Sequence, residues 1–429
     1  MEQEERQNII SLIKSEVIPA IGCTEPIAVA LAVAKAKEEL HEKVLRTETH
    51  LSANILKNSM GVGIPGTGMI GLPIAIALGV VVGKSEYGLE VLKDMNDASL
   101  EEAKRIVDNK LVSVELKKDV PDKLFIEAHC YGATNHSKVV ICGSHNHIAS
   151  IELNGELLLD ETKSGILSAQ EDNEMQLSFE KIYEFSMHTP VDELKFILES
   201  AKLNKLASIE SDKGSYGHDL GKTIGSTANQ YIMGDNIYSR VIARTSSACD
   251  VRMAGAMIPV MSNSGSGNQG ITATIPVVSF AEDMHKSEEE LIRALTLSHL
   301  MVIYIKRQLG RLSGLCGVMV AGIGSAAGIT YLMGGSKEQI SYSIKNMIGN
   351  ITGVICDGAK PSCAMKVSNA VSAGMISAMM AIDNKVVTSL EGIADEDIDK
   401  TIRNLTDIGS EGMMQTDQMV LDIMIHKGE

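Results

Sequence analysis

Tryptophan is absent from the 429 residues, and only 5 phenylalanines and 9 tyrosines are present. A core without large aromatic rings has to be filled by Ala, Val, Ile, Leu and the 23 methionines. With 38 glycines, this composition favours closely packed helices and tight loops. Basic charge is also short, since 39 Lys and Arg face 55 Asp and Glu for a net charge of −16. Nucleic acids and anionic membrane surfaces are bound through basic patches, so neither is expected as a partner. No compact CxxC pair occurs, so no short metal-binding signature stands out. Long apolar runs are scarce: residues 69–83 are too few to cross a bilayer, and residues 317–335 are heavy in Gly, Ser and Ala. Both are expected as buried helices. The start, Met1-Glu2-Gln3-Glu4-Glu5-Arg6, is charged rather than apolar, so no signal peptide is expected and the cytoplasm is the expected compartment.

The pattern of the chain predicts an α+β fold. A first helix is expected from Asn8, then a break at Ala20-Ile21-Gly22, then a second helix beginning at Pro26 with Thr24 as N-cap. A strand is expected around residues 44–51, followed by a glycine-rich passage from Asn58 to Gly68. From about Leu111 the apolar period changes to two, at 111–116, 123–130, 138–142 and 147–153, with Asn154-Gly155 as a hairpin turn. Helical periodicity returns after Asp172. These features predict a mainly helical catalytic domain from residues 1–85 and 169–429, with a small α+β insertion of antiparallel strands at 86–168.

Among the seven cysteines, Cys316, Cys356 and Cys363 stand out, each beside glycine, proline or another small residue. The last two close the loop Cys356-Asp357-Gly358-Ala359-Lys360-Pro361-Ser362-Cys363, in which Gly358 and Pro361 set the turn. Cys363 then falls in the first turn of a helix, whose positive dipole end favours a thiolate, with Lys360 and Lys366 nearby. Three thiolates on tight turns suit an iron–sulfur cluster with one open corner, able to act as a Lewis acid. Three buried structural cysteines are the alternative. Cys23 precedes a helix start, where its pKa should be depressed; it is a candidate base, nucleophile or further ligand, or a small packed residue.

The run Ser262-Asn263-Ser264-Gly265-Ser266-Gly267-Asn268-Gln269-Gly270 can form a nest of backbone amides for a carboxylate or phosphate. Ser264, Ser266 and Asn268, with Lys360, are the candidate substrate-binding residues, and Arg244 or Arg252 is available to pair with a substrate carboxylate. Gly217-His218-Asp219-Leu220-Gly221-Lys222-Thr223 is one residue short of a P-loop and is rejected. Cys130, Cys142, His145 and His147 have the composition of a zinc set, but strand alternation accounts for them.

Four separated motifs, Ile21-Gly22-Cys23-Thr24-Glu25-Pro26, the glycine passage 57–68, Ser264 to Gly270, and the Cys356–Cys363 loop, together resemble the L-cysteine desulfidase family. That family is related to the iron–sulfur L-serine dehydratases, and the resemblance covers nearly the full chain. It implies a [4Fe-4S] cluster on Cys316, Cys356 and Cys363, Cys23 as base, and a lyase that turns L-cysteine into pyruvate, ammonia and sulfide. L-Serine is the alternative substrate, a small amino acid is the expected partner, and a homo-oligomer is the expected assembly. A non-catalytic cluster or thiol sensor would use the same cysteines without forming a product. A pyridoxal-phosphate lyase would need a Schiff-base lysine, for which Lys57, Lys222 and Lys360 are available.

Overall fold

A computed structural model of the chain describes residues 1–161, 176–310 and 312–427. The expected boundary between 168 and 169 lies outside the described residues. The helices α1 (Gln3–Glu16), α2 (Thr24–Leu40), α3 (Ala53–Ser59), α4 (Leu72–Val81) and α5 (Asp97–Asp108) alternate with β1 (Pro19–Ile21) and β2 (Arg46–Leu51). A strand-rich segment follows, with β3 (Val112–Leu116), β4 (Phe125–Tyr131), β5 (His136–Cys142), β6 (Ile148–Leu153) and β7 (Glu156–Asp160). Asn154 and Gly155 both have positive φ, 51° and 86°, as a two-residue hairpin between right-twisted strands requires.

The fold is α+β with helical ends, as the sequence predicts. The extent of the sheet is different. Its six strands run in the order β3-β2-β4-β5-β6-β7, so β2 is an inner strand, parallel to β3 and antiparallel to β4. The strand unit therefore does not begin at residue 86. Thr47, Thr49 and Leu51 of β2 are buried, and α2 and α4 join their core together with Ile126, Ala128 and Val139. The parallel β2–β3 pairing is a long-range contact, and local alternation carries no sign of it.

The larger helical core uses α6 (Phe179–His188), α7 (Leu198–Glu210), α8 (Ile237–Met253), β8 (Pro259–Met261), α9 (Gly267–Asp283), α10 (Glu288–Leu309), α11 (Gly317–Leu332), α12 (Lys337–Ile351), α13 (Cys363–Ile382) and α14 (Ile398–Asp407), while α15 (Met414–Ile425) packs on the sheet-side core. β1 pairs with β8, which ties the first residues to the middle of the chain. α11 is buried along almost its whole length, and its Gly, Ala and Ser residues let α9, α10 and α13 pack around it. α4 is buried as expected too. By length and composition alone, α13 could cross a membrane, and half of its apolar window is buried here. The Ser262–Gly270 run is a loop only as far as Ser266, because Gly267 already starts α9.

Candidate active site

The cavity of interest, about 100 Å³, lies where four helix N-termini come together. Cys23 is the N-cap of α2, Ser266 of α9 and Cys316 of α11, while Cys363 is the first residue of α13. Unpaired amides and positive dipole ends at such termini favour anions. Cys23, Ser264, Ser266, Asn268, Cys316, Cys356 and Cys363 all line the cavity.

Backbone pairing brings the distant cysteines together. Leu315 and Ile355 form an isolated antiparallel bridge, in which the Cys316 amide donates to Val354 O at 2.9 Å and the Cys356 amide to Gly314 O at 2.7 Å. Asp357 then ties the loop, accepting from Lys360 Nζ at 2.5 Å and from Lys366 Nζ. Burial alone would raise the Asp357 pKa, but the hydrogen bonds from the two lysines outweigh it and hold the pKa at about 2. Lys360 also donates to the Asp357 and Gly358 carbonyls, at 2.9 and 3.2 Å. It is thus a loop tether and does not line the cavity. Gly358, at φ 87°, has to be glycine: a Cβ there would meet Lys57 O at 2.2 Å.

Cys316 and Cys363 are buried and Cys356 is half-buried. Burial raises the Cys316 pKa, and the Cys356 and Cys363 thiols raise it further. Burial likewise raises that of Cys363, against the Lys360 amide hydrogen bond and the charges of Lys360 and Lys366. The expectation that the helix start lowers the Cys363 pKa is therefore corrected: burial outweighs it. Among the described residues, only His50, Glu127 and His129 bring three ligand atoms within 4.8 Å of one another. The thiols of Cys316, Cys356 and Cys363 are not such a trio, although all three line one cavity. Three thiols lining one cavity match in number the protein donors of a cluster that keeps one position open.

Cys23 departs from expectation in the same direction. It does precede a helix, but it is 4 % exposed. Burial, then the charge and hydrogen bond of Glu25, push its pKa well above the ordinary value despite Arg252. Its Sγ donates to Glu25 Oε2 at 3.0 Å, and Glu25 also accepts from Thr24 Oγ1 at 3.2 Å and Asn58 Nδ2 at 3.2 Å. Arg252, 3 % exposed, donates to Gly22 O at 2.9 Å and to Asn268 Oδ1 at 3.0 Å. Its Nε has no hydrogen-bond partner among the described residues, and neither does Gln269 Oε1. Glycine at 267 makes room for the guanidinium, since a Cβ there would lie 2.2 Å from Nε. Arg244 lies elsewhere, bonded to Ser279 and Asp283.

Glu25, Asn58, Gln269, Lys306 and His145 also line the cavity, although the sequence alone does not mark them as site residues. The first three sit inside motifs that the sequence does mark. His145 comes from the β5–β6 turn rather than a strand, so alternation does not account for it. The rest of the supposed zinc set is scattered, with Cys130 Sγ 3.8 Å from Val33 O and His147 Nδ1 3.0 Å from Cys142 O. Cys249 on α8 is fully buried and close enough to Cys363 and Cys316 for their thiols to act on its charge.

Residues 86–422 match the family model described as serine dehydratase alpha chain. A UPF0597 protein of Parabacteroides distasonis is 61 % identical over 424 residues, covering 98 % of each chain. A UPF0597 protein of Porphyromonas gingivalis is 54 % identical over 432 residues and covers 100 % of both chains. One from Shewanella pealeana is 48 % identical over 425 residues, covering 97 % of this chain and 98 % of its own. The chain belongs to the serine dehydratase alpha-chain family.

Proposed function

We propose that the chain is an iron–sulfur-dependent lyase that removes the β-substituent of a small amino acid, with L-cysteine as first substrate. L-Serine is the second, favoured by the description of the family model. One observation carries the proposal: Cys316, Cys356 and Cys363 line the same cavity as the Cys23–Glu25 pair and Arg252. The three cysteines would hold the cluster, which when bound supplies Lewis acidity for the substrate carboxylate and the departing β-group.

The remaining chemistry falls to the chain's own residues. Arg252, buried and with Nε unpaired, binds and orients the substrate carboxylate, helped by the N-terminal amides of α9. Cys23 passes its proton to Glu25 Oε2 along the 3.0 Å hydrogen bond and takes the substrate α-proton. The Cα–H electron pair becomes the Cα=Cβ bond, and the β-substituent leaves with its own bonding pair. Taking up the proton held on Glu25, it leaves as hydrogen sulfide from cysteine or as water from serine, and the aminoacrylate then tautomerises and hydrolyses to pyruvate and ammonia.

The pyridoxal-phosphate alternative has no support among its nominated lysines. Lys57 pairs with Asp417, Lys222 with the Gly214 carbonyl and Asp219, and Lys360 with Asp357. Anaerobic iron and sulfide analysis, followed by pyruvate assays on L-cysteine and L-serine, tests the proposal. About four irons per chain, and pyruvate from one of the substrates, are expected. Cys356→Ala should lose iron and turnover together, and wild-type turnover without a cluster would refute the proposal.

A further inference from the structure

Outside the cavity, the sheet carries a second cluster of metal-ligand type. Strand alternation sends Thr47, Thr49 and Leu51 of β2 into the core, so Glu48 and His50 point to the other face. On β4, Glu127 and His129 share that face. The antiparallel register sets His50 directly opposite Glu127, and Glu48 opposite His129. His50, Glu127 and His129 each bring a ligand atom within 4.8 Å of the others, and their side chains are 27 %, 14 % and 13 % exposed.

We propose that His50, Glu127 and His129 form a binding site for a zinc-class divalent ion, with water in the fourth position. Two imidazoles and one carboxylate are the donor set of open tetrahedral zinc sites, and imidazole nitrogen selects for zinc, copper, nickel or iron over calcium and magnesium. The surroundings supply the supporting contacts that such ligands need. His129 Nδ1 lies 2.9 Å from His136 Nε2, and His129 Nε2 lies 3.2 Å from Glu127 Oε1. With the proton on Nδ1 and donated to His136, Nε2 turns a lone pair towards the carboxylate, and a cation between them satisfies both. Without metal, the opposite tautomer closes the same contacts, Nε2–H donating to Glu127. Lys117 Nζ takes the other carboxylate oxygen, Oε2, at 2.7 Å and leaves Oε1 to the ion. Glu115 stands 3.7 Å from His50 Nδ1, where it can steady that ring, and the His50 and His129 planes meet at 81°. The bound ion would clamp β2 to β4.

The test is a cobalt(II) titration of cluster-loaded protein, with zinc(II) as competitor. One equivalent should bind with tetrahedral d–d absorption, no thiolate-to-cobalt charge-transfer band, and full displacement by zinc. The signal should disappear in His129→Gln and in His50→Gln, and binding should weaken about 10- to 100-fold in His136→Ala. It should persist when Cys316, Cys356 and Cys363 are all replaced by serine, which separates this site from the proposed cluster. His50 is the most exposed of the three, so His50→Gln serves if His129→Gln does not fold. Absence of saturable binding, a thiolate band alone, or wild-type affinity in a folded histidine variant would each overturn the proposal.

Discussion

Cys23 shows how neighbours can reverse the effect of a local motif. A thiol ahead of a helix ordinarily ionises easily, but here burial and the Glu25 carboxylate hold it protonated. Glu25 raises the Cys23 pKa both by its charge and by its hydrogen bond, so its loss must lower that pKa. In Glu25→Gln, which also removes the acceptor of the Cys23 proton and so lowers kcat, the rising limb of the pH–rate profile that reports Cys23 ionisation should move to lower pH. Cys23→Ser should reduce kcat by about 10²- to 10⁴-fold with the iron content unchanged, the range for loss of a positioned base. Unchanged kcat in that variant would remove Cys23 from the chemistry. The candidate role of Cys23 was legible in the chain, whereas its protonation state was not, because Glu25 and burial set it.

The Cys356–Cys363 loop was legible almost entirely. Gly358 and Pro361 announce a turn and α13 begins at Cys363, because these are local backbone preferences. Its partner segment was not legible, since the Leu315–Ile355 bridge joins residues with no shared sequence pattern. Gly358→Ala would put a side chain at φ 87° and against Lys57 O. A loss of about 1–3 kcal/mol of stability is expected from the strain alone, read as a lower melting temperature together with weaker iron retention. Asp357→Asn should loosen the loop more mildly. The carboxylate's depressed pKa means its contribution is complete above the ordinary carboxylate range, and it fades only as pH falls towards about 2. Melting curves at neutral pH should therefore separate the variant from wild type, and curves near pH 2 should bring them together.

The molecule places its cavity where the helical core and the sheet unit meet. Residues from both reach it, His145 from the β5–β6 turn and Cys316 and Cys363 from the helical core. The C-terminal helix α15 packs on the sheet-side core, with Leu421 in it and Asp417 accepting from Lys57 and from Asn54 Nδ2 at 2.8 Å. Lys57 is 2 % exposed and its carbonyl lies against Gly358, so α3, the cysteine loop and α15 share one anchor. Asp417→Ala would leave a buried ammonium without its carboxylate, at a cost of about 3–5 kcal/mol. Chemical denaturation should show that loss. A change below about 1 kcal/mol would mean that Lys57 finds water instead.

Composition and local pattern were enough to read an α+β chain with helical ends, the hairpin at Asn154-Gly155, the start of α13 and the four cysteines that share the cavity. The fold class, the hairpin and the start of α13 follow from composition and local backbone preferences, and the cysteines from their small neighbours, nearby helix starts and the family resemblance. Folding in three dimensions decided the rest. It drew β2 into the sheet's interior, turned Lys360 into a tether, brought Glu25, Asn58 and His145 to Cys23's cavity, and raised the pKa values of Cys23 and Cys363 by burial. Burial and electrostatic shifts depend on which distant segments pack together, and neither periodicity nor motif spacing encodes that pairing.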